Sequence, residues 1–459
     1  MGKCLRIGAI LMTCVFSIYA QVDASASTTV ASPQDFFALK NAAEKGDARA
    51  QLAYGKALES KSREEAGFWV QKAAAQGLGE AWHWLGYAGL GKENTVFYYE
   101  KAVENGYPEA LADLLNHLLF YSGPSVDFTK AKKFADLARK LNSTSGLDRS
   151  NGLLETIDRC YEAGSVQIPS EDRPSPAEQK TLKSAKPECM VFHYGLGVAQ
   201  DWQKYRKCLL AQDSVDYNYL AEIYANAWGV KRNPELALAL VCHAGGVPSE
   251  LMGMVDTLYR TKDQERLEPA YFFCDHISSG MNSGFCSARA EKISFRQRAA
   301  KFAEITKNWT QKQQGAFLSL RKLGDVFFAE RAVSEQDMSG TARGQIAVEE
   351  EARLKDAFFK SIQAFEAGQF PKDANFSQAD RDLNAIYSRI MKRIDMKDQG
   401  TITKEGIRAT ERKWLHYRDA WVLFASTRYA SLSPDLWKTW LTQQRIQQLK
   451  AFAPVTQQM

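Results

Sequence analysis

Cysteines, lone histidines and two sets of polar and aromatic residues near the C-terminus are the groups in this chain best suited to chemistry. Cys4 and Cys14 lie in the first 20 residues; the other six cysteines all lie between positions 160 and 286. Cys274-Asp275-His276 with Cys286 offers three ligands for a metal ion, but the set lacks paired ligand spacing. An even number of cysteines in an exported chain points instead to disulfides. Cys189 and Cys208 are equally far from Val198-Ala199, so two antiparallel helices would set them face to face. Cys274 and Cys286 flank a Ser/Gly-rich loop. Elimination leaves Cys160 with Cys242.

Catalytic constellations are missing from the sequence. It has no His-Glu-x-x-His, no Gly-x-Ser-x-Gly, no phosphate loop and no Cys/His pair in nucleophile context. Two carboxylates can meet in space as in a glycosidase. With 54 acidic residues, their presence carries no information. The expectation is a non-enzyme with no catalytic residues, no metal and no cofactor.

The C-terminal sets are more specific. Asp380, Leu383-Asn384, Tyr387 and Met391 recur at helical spacing and share one face. Trp414, Tyr417, Arg418 and Trp421 share another, with Asp419 beside it. Arg445 closes a Leu441-Thr442-x-x-Arg445 run. Asp380, Asn384, Arg418 and Asp419 form either a binding patch or a brace, in which Arg418 pairs with a carboxylate across two helices and Asp380 is partly used as a cap. His416 reads as semi-exposed. His83, between Trp82 and Trp84, reads as a surface or groove residue.

These residues need helices to hold them, and the sequence supplies helices throughout. Ala42-Ala43-Glu44-Lys45-Gly46, Ala73-Ala74-Ala75-Gln76-Gly77 and Ala102-Val103-Glu104-Asn105-Gly106 recur at offsets of 31 and 29, each followed four residues later by alanine (Ala50, Ala81, Ala110). Such a period marks a solenoid of helix pairs. Alanines let helices approach closely, and glycine ends each helix in the left-handed region. A second set, Tyr194-Gly195-Leu196-Gly197-Val198 and Tyr224 to Trp228-Gly229-Val230, recurs at an offset of 32. Asp201 and Asn233 then cap the next helices. Residues 167–176, with three prolines, read as a linker. From Lys292 to Gly368 the pattern gives long amphipathic helices broken at Ser339-Gly340-Thr341. Ser377-Gln378-Ala379-Asp380 reads as a capping box, and Thr442 as the cap of a last helix.

Residues 1–20 read as a signal peptide: Lys3 and Arg6, an apolar run over Ile7–Ala20, and small residues at Ala20 or, as late as position 26, at Ala24-Ser25-Ala26. No later segment is apolar for long enough to span a membrane. The formal charge is +5, of which the signal carries +2, and no Lys/Arg block suggests nucleic acid.

In the first half, the Gly-Val turn, the following Asp and the Ala-Ala-x-x-Gly helix end resemble Sel-one-like repeats, relatives of tetratricopeptide repeats. That resemblance implies an α/α superhelix whose concave face holds a protein or peptide. It implies no chemistry. At the C-terminus, Asp-x-x-Leu-Asn-x-x-Tyr, Trp-x-x-Tyr-Arg-Asp and Leu-Thr-x-x-Arg resemble the LprI-like lysozyme-inhibitor domain family. The resemblance implies a compact helical envelope domain, linked in some members to inhibition of lysozyme. Asp380, Asn384, Tyr387, Trp414, Tyr417, Arg418, Asp419 and Arg445 carry the signature. Small members usually carry cysteines in the domain, and none follows Cys286 here.

The expected organisation is all-α, a repeat solenoid followed by a C-terminal helical bundle. Its segments are the signal (1–20), N-terminal repeats (33–145), a linker with irregular helix (146–185), disulfide-stapled repeats (186–290), long helices (291–370) and the LprI-like domain (371–459). The expected setting is periplasmic or secreted, in a bacterium. The expected function is interaction: repeats docking a protein, and the last domain binding an envelope component such as peptidoglycan or another anionic polymer. The alternative is inhibition of lysozyme or another peptidoglycan hydrolase. Positions 372–450 hold 15 basic and 9 acidic residues, a net of +6. Lysozymes are commonly cationic, and like charges slow encounter, so this charge favours an anionic partner.

Overall fold

The structure is a computed structural model that describes residues 33–89, 94–121, 125–141, 152–185 and 187–453. The expected signal segment and Cys4 and Cys14 lie outside the described residues. The protein is all-α, with no strand among the described residues. The chain folds as two compact units, one up to Leu114 and one from Leu115.

The first unit contains α1 (Pro33–Glu44), α2 (Ala48–Leu58), α3 (Arg63–Ala75), α4 (Gly79–Tyr87), α5 (Thr95–Glu104) and the start of α6 (Ala110–Asn116). From α1 to α5 each helix packs on the next. Residues at the repeat period explain why. Gly46, Gly77 and Gly106 follow the alanine-rich helix ends with φ of +97°, +85° and +76°, a region that costs glycine nothing. Ala43, Ala74 and Ala102 before them are buried, as are Ala50, Ala81 and Ala110 after them. Small side chains at these points bring the helices together. At Gly79 the approach leaves no room for a side chain, because an added Cβ would lie 2.8 Å from the Asn105 carbonyl oxygen. Asp47, Ser62 and Asn94 cap α2, α3 and α5 through their side chains. His83 lies in α4, partly buried, with Nε2 2.7 Å from Asp113 Oδ2 in α6.

The second unit opens with α7 (Phe128–Lys140), α8 (Gly152–Ala163), α9 (Pro176–Ala185), α10 (Met190–Tyr194), α11 (Trp202–Leu210), α12 (Tyr217–Asn226), α13 (Pro234–Ala244) and α14 (Pro248–Arg260). Asp201 accepts from the Lys204 amide at 2.9 Å and Asn233 from the Leu236 amide at 3.0 Å, capping α11 and α13. Gly195 ends α10 with φ +63°. Thirty-two positions on, Ala227 ends α12 with φ +58°, the one non-glycine residue with positive φ among those described. Three sulfur pairs stand at bonding distance: Cys160–Cys242 at 1.96 Å, Cys189–Cys208 at 2.01 Å and Cys274–Cys286 at 2.04 Å. Cys274 and Cys286 therefore present no thiolate to a metal. The proline-rich segment at 167–176 is tied down: Asp172 accepts from Tyr224 Oη at 2.9 Å and pairs with Arg206 at 3.0 Å.

Six long helices complete the unit: α15 (Gly280–Thr306), α16 (Gln311–Ser334), α17 (Arg343–Glu366), α18 (Phe376–Met391), α19 (Lys404–Arg428) and α20 (Pro434–Leu449). Thr310 and Gln313 form a capping box at the start of α16, and the gap between α16 and α17 contains the Ser339-Gly340-Thr341 break. One apolar core runs through all six. Phe365 of α17 lies 5.1 Å from the rings of both Trp437 and Trp440 of α20 and 5.8 Å from Trp421 of α19. Positions 370 and 371, where the sequence changes character, do not divide this core. No helix of the described residues is long and apolar enough to cross a membrane.

Candidate functional site

The signature residues sit on α18, α19 and α20, and the structure gives them unlike environments. α18 starts two residues earlier than the sequence pattern predicts. Asn375, whose Oδ1 accepts from the Gln378 amide at 3.2 Å, is the cap. Ser377 and Asp380 lie inside the helix, so the capping box expected there does not form. Asp380 is free to pair along the helix, and Asn384 Nδ2 donates to its Oδ2 at 3.1 Å and to its carbonyl at 2.9 Å. Asn384 is exposed. Tyr387 is half-buried against the core.

On α19, Trp414 and Tyr417 face inward. Trp414 is 2% exposed, and burial pushes the Tyr417 hydroxyl well above its usual pKa. Helical spacing turns their neighbour Arg418 to the rim. Its guanidinium lies 5.3 Å from the Trp414 ring and 5.9 Å from the Phe376 ring, so it bridges α19 and α18 by cation–π contact. Its carboxylate partner is the adjacent, exposed Asp419, with Nη2 2.9 Å from Oδ1. His416 is exposed.

Arg445 is fully buried. Its two terminal nitrogens grip Glu335 at 2.9 and 2.5 Å, and its Nε donates to Glu411 at 2.8 Å. Arg331 lies 3.2 Å from Glu335 and also pairs with Glu350. These five side chains join α16, α17, α19 and α20. Burial draws the Arg331 guanidinium down to about 10 and pushes the Glu411 carboxyl up. Burial alone would lower Arg445 too, but the two carboxylates hold it above its ordinary value. Charges taken this far from water survive only when paired on all sides. Thr442, expected as a cap, is buried within α20; Ser433 caps that helix through the Asp435 amide at 3.2 Å.

Sequence reasoning missed Arg331, Glu335, Glu350 and Glu411. Glu335 lies 110 residues from Arg445 in the chain, so no local pattern could join them.

What remains open to a partner is a rim along α18 and α19. Asp380, Asn384 and Tyr387 line it from α18. Arg408 of α19 reaches back to Met391, with Nη2 3.9 Å from Sδ. Arg389 of α18, Lys392 at its C-terminal end and Arg412 of α19 are exposed and pair with no carboxylate among the described residues. Such cations stay hydrated and available to an anion. Residues 372–457 match a family model described as Lysozyme inhibitor LprI. No curated protein matches the chain.

Proposed function

We propose that this chain is a non-enzymatic, extracytoplasmic binding protein. Its Sel-one-like helix pairs hold a protein or peptide, and its C-terminal bundle engages an envelope component through the α18/α19 rim. The observation that carries this reading is the set of exposed cations on α18, at its C-terminal end and on α19: Arg389, Lys392 and Arg412. These cations have no carboxylate partner among the described residues. A net charge of +6 over 372–450 favours an anionic polymer such as peptidoglycan or another wall or outer-membrane polymer. Three disulfides fit an oxidising compartment, periplasmic or secreted.

The family match at 372–457 favours a second reading, in which the component is lysozyme or another peptidoglycan hydrolase. Two measurements on the full chain separate the readings. Co-sedimentation with peptidoglycan, weakened in an Arg389→Glu/Arg412→Glu double variant, is the expected result for the polymer. A protein that stays in the supernatant would end that reading. Slower clearing of a cell-wall suspension by lysozyme is the expected result for an inhibitor. Unchanged clearing at molar excess would remove lysozyme as the target.

A further inference from the structure

A cavity of about 270 Å³ lies in the disulfide-stapled half of the second unit, away from the α18/α19 rim. It is set between the start of α12, the α13–α14 turn, α14 and the start of α15. Val247, Met254, Phe273, Ile277 and Phe285 give it apolar walls. The rings of Phe273 and Phe285 stand 6.2 Å apart at 40°. Phe285 is half-exposed, which leaves it able to move with an entering molecule.

The polar lining is one-sided. Its titratable groups, Asp216 and Glu250, are both acidic. Glu250 is buried and accepts from the Ser278 amide at 2.9 Å, the Ser279 amide at 2.6 Å and Asn282 Nδ2 at 2.6 Å. Those donors hold its carboxyl below the usual range although burial opposes them. Asp216 accepts from the Asn218 amide at 3.0 Å and makes no ion pair among the described residues. Burial holds its carboxyl above the usual range. Asn218 Oδ1, in the same lining, is buried and finds no donor.

The cation nearest in effect is Arg289, whose guanidinium lies 5.4 Å from the Phe273 ring centroid and donates its hydrogen bonds outside the cavity lining. Its terminal nitrogens donate to the buried Glu222 at 2.9 and 2.8 Å and to Tyr194 Oη at 3.1 Å. Asp216, Glu222 and Glu250 against Arg289 leave two negative charges uncompensated. A small cavity short of donors and cations, with aromatic walls, suits a positive ligand that brings its own apolar body.

We infer that the cavity lined by Asp216, Glu250, Phe273 and Phe285 binds a small organic ammonium ion, its charged end toward Asp216 and its apolar part against the two rings. The test titrates the disulfide-bonded full chain at pH 7 with phenethylammonium chloride and, separately, with 2-phenylethanol, by calorimetry. Saturable binding of the amine and none of the alcohol is expected. Asp216→Asn keeps a side chain that can cap α12 and removes only the charge; it should weaken the amine roughly tenfold or more. Phe285→Ala, at the exposed edge, should weaken it as well. Equal binding of the alcohol, an unchanged affinity in Asp216→Asn, or no saturable binding by the wild-type chain would each overturn the assignment.

Discussion

Arg445 shows how a residue picked out by sequence spacing can take a role that spacing does not reveal. It lies in the run that closes the signature, yet it is fully buried and holds Glu335 and Glu411 instead of facing solvent. Removing it leaves two carboxylates in a low-dielectric core. Arg445→Met is therefore expected to destabilise the bundle by about 3–5 kcal/mol. The urea midpoint of tryptophan fluorescence measures this, since Trp414, Trp421 and Trp437 sit in that core. Adding Glu335→Leu should recover part of the loss. A single variant as stable as the wild type would mean that the pair contributes nothing net. Arg418 behaves differently although it stands in the same signature, because its charge stays at the rim over Trp414 and Phe376.

At the scale of the helix, the repeats are punctuated by chain reversals that demand a left-handed residue. Gly46, Gly77, Gly106 and Gly195 meet that demand without cost, and Ala227 meets it against its preference. A left-handed alanine costs roughly 1–2 kcal/mol, and the extra freedom of an unfolded glycine offsets about 0.4–1 kcal/mol of that. Ala227→Gly is expected to stabilise the second unit by about 0.5–1 kcal/mol, read as a higher thermal midpoint. A lower midpoint would refute the argument, since Ala227 is exposed and has little packing to lose. The caps divide by the same logic. Asp201 and Asn233 were legible because each follows a glycine turn directly. Ser377 and Thr442 misled because capping residues also occur inside helices, and the true caps, Asn375 and Ser433, lie outside the motifs.

For the molecule as a whole, the decisive feature is the core that α16 and α17 share with α18, α19 and α20. A fragment of residues 371–459 would expose the faces that Phe358, Ile362 and Phe365 cover, and it should show no cooperative unfolding by circular dichroism. A fragment of residues 291–459 keeps those helices and should unfold cooperatively. Cooperative unfolding of the shorter piece at the same midpoint would show that the shared core is dispensable. The sequence by itself determined the all-α class, the repeat period with its glycine helix ends, and which signature residues share a helix face. Each of these is written in neighbours a few residues apart, where helix geometry is fixed by local sterics and hydrogen bonding. Only the tertiary structure decided that the last helices lean on the preceding ones, that Arg445 is buried among carboxylates 34 and 110 residues away, and that Asp216 and Glu250 meet at one cavity. Those outcomes depend on which helix faces meet. Meeting is settled by the total apolar area and charge pairing of the packed chain, which no short window of sequence contains.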